Sequence, residues 1–152
     1  MTKSAGHSGE SRRTSILGLG RRCSQLRSMG KHILIVEDNE HLRVILASLL
    51  NHFGYEPLLA CNGAEAINSV ITNQPDAVLL DLGLPDMPGY SVARTILNYP
   101  GCAQTPIIGC SAYSSSEERE TALKAGMVEY LEKPIKAEQL RETIEHFLYR
   151  GG

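Results

Sequence analysis

Two adjacent acids, Glu37 and Asp38, stand directly behind the run "HILIV" at 32–36, and Asp81 stands directly behind "AVLL" at 77–80. Ser111 follows "PIIGC" at 106–110, and Lys133 comes two residues after "VEYL" at 128–131. If these runs are parallel strands, their carboxyl ends share one edge, the edge at which open α/β sheets bind ligands. That edge then gathers three carboxylates, one hydroxyl and one ammonium. Carboxylates a few ångströms apart repel by about 1–4 kcal/mol per pair at surface-like dielectric, and without compensation one stays protonated. Lys133 offsets one charge. A hard divalent cation would offset the rest, and an all-oxygen donor set favours magnesium, or manganese, over zinc.

Each residue also has a plainer reading. Asp38 or Asn39 could cap a following helix, Ser111 could be a capping serine, and Lys133 could be a solvated lysine. Asp81 fits capping poorly, because "LGLPDMPG" with its two prolines follows and no helix starts there. What sets the group apart is that all its members fall behind strand-like runs.

The elements that must position them alternate along the chain. After 32–36, Leu42, Ile45, Leu46, Leu49, Leu50 and Phe53 recur at three and four, an amphipathic helix stopped by Gly54. "YEPLLA" at 55–60 reads as a second strand, which Pro57 assigns to an edge. "NGAEAINSVI" opens a helix, 77–80 is a strand, and "SVARTILN" at 91–98 is a helix. After the strand at 106–110, Ser115 and Glu118 form a capping box for a fourth helix with a thin apolar stripe. The strand at 128–131 precedes a last helix striped by Leu140, Ile144, Phe147 and Leu148. Five strands alternating with five helices predict an α/β fold: an open, doubly wound, five-stranded parallel sheet with helices on both faces.

At 152 residues the chain holds one domain and a tail. Residues 1–30 carry six basic residues against Glu10 alone, a net +5, with five glycines and six serines. Such a composition predicts a disordered, solvated basic tail. Its "SRRTSILGLG" fails as a twin-arginine signal, because Arg21 and Arg22 interrupt the apolar part. A basophilic kinase site at Thr14 or Ser15, and translation starting at Met29, are weaker readings. Residues 31–152 carry nine basic and sixteen acidic residues, a net −7, and make up the expected domain. Cys23, Cys61, Cys102 and Cys110 show no metal-ligand spacing, and Cys110 reads as a buried, reduced thiol. Reduced thiols without an export signal point to the cytoplasm, and no apolar stretch is long enough for a membrane span.

The motifs "ILIVEDNE", "LLDLGLPDMPGY", "PIIGCSA" and "YLEKP", in this order, resemble the receiver domain of two-component response regulators over residues 31–150. The resemblance implies the flavodoxin-like strand order 2-1-3-4-5. It implies that Asp81 accepts a phosphoryl group from a histidine kinase, with Asp38 a direct magnesium ligand and Glu37 a second acid acting through water. Gly83 would offer its carbonyl to the metal. Lys133 would pair with phosphoryl oxygens, and the Ser111 hydroxyl and Ala112 amide would bond them. Tyr130 matches the aromatic whose rotamer follows the switch, turning inward when Ser111 moves, and Lys133–Pro134 should be cis. Gly83 and Tyr113, two past Asp81 and Ser111, depart from the common family residues along the path of the hydrolytic water, so the phosphoryl lifetime does not carry over.

The expected function is a stand-alone response regulator, since the chain stops at Gly152, just past the last helix. It would take its phosphoryl group from a histidine kinase or histidine phosphotransfer protein. It would then signal to a protein target through the fourth helix, fifth strand and fifth helix. An acidic domain without a basic recognition helix argues against DNA binding. A phosphorelay intermediate or the receiver end of a hybrid kinase shares the same chemistry. A magnesium-dependent phosphohydrolase with an aspartyl nucleophile is the rival from another class, although Gly83 stands where such enzymes commonly carry a second aspartate.

Overall fold

The computed structural model describes residues 30–113 and 115–150. The basic tail, apart from Gly30, lies outside the described residues. The elements run β1 (His32–Val36), α1 (Glu40–His52), β2 (Glu56–Ala60), α2 (Gly63–Asn73) and β3 (Ala77–Asp81), followed by α3 (Gly89–Asn98), β4 (Ile107–Ser111), α4 (Ser116–Lys124), β5 (Glu129–Glu132) and α5 (Ala137–Tyr149). The five strands form one parallel sheet in the order β2-β1-β3-β4-β5, as the sequence predicts. Pro57 does lie on an edge strand, where its missing N–H costs no ladder bond.

β3 and β4 are buried at every position, as strands covered on both faces must be. Alternation sorts their side chains into two cores. Ile33, Ile35, Ala77, Leu79, Ile108 and Leu131 pack with Leu46 and Leu50 of α1 and with Leu140 and Ile144 of α5. Leu34, Val36, Val78, Leu80, Ile107 and Tyr130 pack with Val70 of α2, Val92 and Ile96 of α3, and Ala122 of α4. Helices therefore cover both faces, two on one and three on the other.

Several boundaries shift from those read in the sequence, for local reasons. Ile45, placed in the apolar stripe of α1, is 56% exposed. At 100° per residue it points about 100° away from Leu46 and about 140° from Leu50, the two buried positions of this helix. β4 begins one residue late, because Pro106 has no N–H for the ladder, and so it carries Ser111 as its last residue. α3 begins two residues early, at Gly89. A side chain there would meet Leu82 Cα at 2.7 Å and the Asp81 carbonyl oxygen at 2.9 Å. Glycine lets the first turn of α3 close onto the backbone behind Asp81.

Candidate functional site

Period-two alternation, carried to the last residue of β3 and one step past β1 and β5, puts Asp81, Glu37 and Lys133 on the α1/α5 side of the sheet edge, the parity of Leu79, Ile35 and Leu131. The Lys133 amide donates to the Ser111 carbonyl at 2.8 Å, which sets the end of β5 in register with β4. The Lys133–Pro134 bond is cis. The Lys133 Nζ lies 2.8 Å from Glu37 Oε2 and 3.2 Å from Asp81 Oδ1. One cation thus joins two carboxylates that are otherwise buried, at 2% exposure for Glu37 and 6% for Asp81.

The three acids differ in how they are held. Glu37 Oε1 accepts from the Asn39 amide at 3.2 Å, while Oε2 takes Lys133. Asp81 Oδ1 accepts from the Gly83 amide at 3.1 Å. Asp38 is exposed, and among the described residues its carboxylate has no protein partner. The capping role open to Asp38 is taken by Asn39, whose Oδ1 accepts from the Leu42 amide at 3.1 Å.

The electrostatics follow from crowding. Burial pushes the Glu37 carboxyl above its ordinary range; the Lys133 hydrogen bond pulls it down, and the Asp81 charge pushes it up again. Burial works against the Lys133 charge as well, but the Glu37 hydrogen bond and the Asp81 charge outweigh it, and the ammonium is held more firmly than usual. One cation among three carboxylates leaves the cluster with negative charge in excess. One oxygen from each of Glu37, Asp38 and Asp81 falls within 4.8 Å of the others. An all-oxygen donor set of that charge, with one carboxylate free of protein donors, fits a hard divalent cation such as magnesium. Gly83 is exposed, and a Cβ there would come no closer to other residues than 3.9 Å, from Asp81 Oδ1, so the approach to Asp81 is open on that side.

Ser111 and Tyr130 lie on the other face. Ser111 Oγ accepts from the Tyr113 amide at 3.2 Å, and Ala112 beside it is exposed. Tyr130 is 5% exposed, already turned inward beneath the β4–α4 loop. Its hydroxyl donates to the Tyr113 carbonyl and also reaches Glu118 Oε2 at 3.0 Å. The Ser115 hydroxyl accepts from the Glu118 amide at 3.1 Å, which is half of the expected capping box. The Glu118 carboxylate itself is engaged by Tyr130.

Two residues near the site, and the tertiary role of a third, escaped the sequence reading. Arg43 donates from α1 back to the Glu37 carbonyl at 2.8 Å. Asp86, in the loop after Asp81, accepts from the Gly63 and Ala64 amides at 2.8 and 3.0 Å and so caps α2. Glu118 ties α4 to Tyr130. Only Glu118 carried a signal, and that signal pointed to a different partner. Cys61, Cys102 and Cys110 are free thiols, and burial pushes the Cys110 thiol far up. No helix among the described residues is long and apolar enough to cross a membrane.

Comparison with known proteins agrees with this geometry. Residues 33–145 match the response regulator receiver domain family. The polar-differentiation response regulator DivK of Brucella anthropi is 31% identical over 120 residues, which span 79% of this chain and 98% of DivK. The receiver domain of the sensor histidine kinase PA1611 from Pseudomonas aeruginosa, solved with magnesium coordinated in its active site cleft, is 34% identical. It superimposes with a TM-score of 0.73 over 78% of this chain and 98% of its own. The chemotaxis protein CheY4 of Vibrio cholerae, 25% identical, gives 0.75 over 78% and 98%. With five parallel strands in the order 2-1-3-4-5 and its acids gathered at their carboxyl ends, the chain belongs to the response regulator receiver domain family.

Proposed function

We propose that the chain is a phosphorylation-controlled signalling switch in which Asp81 accepts a phosphoryl group from the phosphohistidine of a histidine kinase or phosphotransfer protein. The observation that carries this reading is the position of Asp81: it shares Lys133 with Glu37 and lies in a cluster with Asp38 at the open edge of the sheet. An Asp81 oxygen attacks phosphorus in line, the P–N bond breaks, and the imidazole leaves. Glu37, Asp38, Asp81 and the Gly83 carbonyl would hold magnesium, with manganese able to substitute. When bound, the metal neutralises charge on the phosphoryl oxygens. Lys133 balances the same charge from the opposite side. The Ser111 hydroxyl and the Ala112 amide donate to the transferred group, and this draws Ser111 away from Tyr113.

That movement is the start of the signal. Phosphorylation adds negative charge and acceptor oxygens at Asp81. Ser111 and Tyr130 share a face and a loop, so a shift of Ser111 biases the tether between Tyr130, Tyr113 and Glu118. α4 buries only Ala122 and moves readily, which makes α4, β5 and α5 the partner-binding face. With magnesium and a small phosphodonor, intact mass should rise by one phosphoryl group, and Asp81→Asn should show no rise; a modified Asp81→Asn protein would sink the assignment.

The match to the response regulator DivK, which this chain covers almost end to end, supports a stand-alone regulator; its proposed setting is the cytoplasm and its proposed target a protein, not DNA. The PA1611 match supports a second reading, a receiver within a phosphorelay or hybrid kinase, with identical chemistry and different partners. We infer that the chain is not a turnover enzyme. Release of phosphate from a generic ester over many cycles would instead favour the phosphohydrolase reading.

A further inference from the structure

Arg43 sits on the fourth residue of α1, inside its first turn. A cation there opposes the helix dipole, so helix stability does not explain it. Nor does ion pairing: three carboxylates crowd the pocket just ahead of it, yet among the described residues Arg43 pairs with no acid. Helical side chains lean back toward the N-terminus, and this one reaches the loop between β1 and α1. Its Nη1 donates to the Glu37 carbonyl at 2.8 Å and lies 3.5 Å from the Asp38 carbonyl. Glu37 is one residue past β1, where its amide still donates to Ala60 of β2 at 3.0 Å.

We propose that Arg43 is a positioning residue for the metal site, clamping the Glu37 and Asp38 peptides so that the Asp38 carboxylate faces Asp81. The need for a clamp comes from the contrast among the acids. Glu37 and Asp81 have side chains fixed by Asn39, Gly83 and Lys133. Asp38 has no such fixing, so its direction depends on its backbone, and that backbone lies under the guanidinium. Because Arg43 holds carbonyls, it takes no carboxylate oxygen away from the cation. The inference rests on the reading of this edge as a magnesium-dependent phosphoacceptor pocket.

The test exploits a difference in sign. If Arg43 is merely a positive charge near the pocket, its removal should tighten Mg²⁺ binding, since like charges repel. If it is a clamp, removal should loosen binding, because supporting residues around a metal site are worth about tenfold or more in affinity. Mg²⁺ would be titrated by calorimetry into the full chain at fixed ionic strength, for wild type, Arg43→Ala and Arg43→Lys. Arg43→Ala should weaken binding about tenfold, and Arg43→Lys, with its charge kept and its fork lost, should fall between. The metal-free variants should still melt cooperatively. The Mg²⁺ concentration for half-maximal phosphorylation should rise by the same factor, with the extent at saturating Mg²⁺ unchanged. Unchanged or tighter binding by Arg43→Ala overturns the proposal. Should Arg43→Ala fail to fold, Arg43→Lys decides, since wild-type affinity there means that charge alone suffices. A wild-type chain that binds no Mg²⁺ at all would overturn the pocket reading itself, a result distinct from either.

Discussion

The two faces of the sheet handle polar groups in opposite ways. On the α1/α5 face, Glu37, Asp81 and Lys133 are packed together at the carboxyl ends of β1, β3 and β5, and each is held by more than one partner. On the α2/α3/α4 face, Ser111 and Tyr130 bond mainly to a loop and to the first turn of α4, a helix with one buried residue. The first arrangement resists displacement, because moving any member strands a buried charge. The second yields, because its bonds run to elements with little buried area. On the proposed reading, chemistry that needs fixed geometry would sit on the rigid side, and a response that needs motion on the soft side.

The sharpest way to break that contrast is to remove the shared cation. Lys133→Met leaves Glu37 and Asp81 facing each other without compensation. Phosphorylation should slow by at least about 100-fold, and the metal-free protein should lose roughly 2 kcal/mol, less than a fully buried pair because Lys133 keeps some solvent contact. Urea unfolding and phosphodonor kinetics measure both. Retained stability would mean that the acids relax by taking up a proton.

A smaller loss should separate the acids by how they are held. Asp38→Ala should weaken magnesium binding by more than tenfold, about 1.4 kcal/mol or more. Glu37→Ala should cost less, since the Glu37 oxygens are already engaged by Asn39 and Lys133. Equal losses in a metal titration would show the two roles to be misassigned.

On the soft face, Ser111→Ala should still be phosphorylated at Asp81, yet lose most of the phosphorylation-dependent gain in partner affinity. Tyr130→Phe removes a tether worth about 1 kcal/mol. Amide exchange should therefore quicken across α4 and stay unchanged in β3. Quickening in both elements would mean that the faces are not independent.

The smallest effect concerns the loop that joins them. Asp86 caps α2, and the Gly63 amide bond, foremost among its backbone bonds, holds its carboxyl below the usual aspartate range. A carboxylate with a lowered folded pKa contributes stability above its unfolded value, and the contribution is lost as pH falls through the folded one. Wild type should thus be more stable than Asp86→Asn at neutral pH, and the two should converge as acid protonates the Asp86 carboxylate. A difference in melting temperature that stays constant through full protonation of the carboxylates would show that the cap acts through shape and not charge.

What the sequence by itself determined is whatever depends on period and on chain order. Continuous aliphatic runs set β1, β3 and β4, and an acid or hydroxyl behind each run had to fall at one edge once the strands were parallel. The thin stripe of α4 was legible too, and so was the edge position of Pro57. Tertiary structure decided which donor meets which acceptor. Lys133 and Glu37 are 96 residues apart, and Asp86 and Gly63 are 23 apart. Such pairs form only when the sheet closes, since nothing local brings them together. Glu118 shows the limit most clearly: three residues after Ser115 it satisfies a local capping rule, yet Tyr130 from β5 takes its carboxylate. Arg43 is the converse case. Its reach back to Glu37 spans only six residues, but a long, flexible side chain selects a carbonyl over a nearby carboxylate only after the pocket has fixed where each oxygen points.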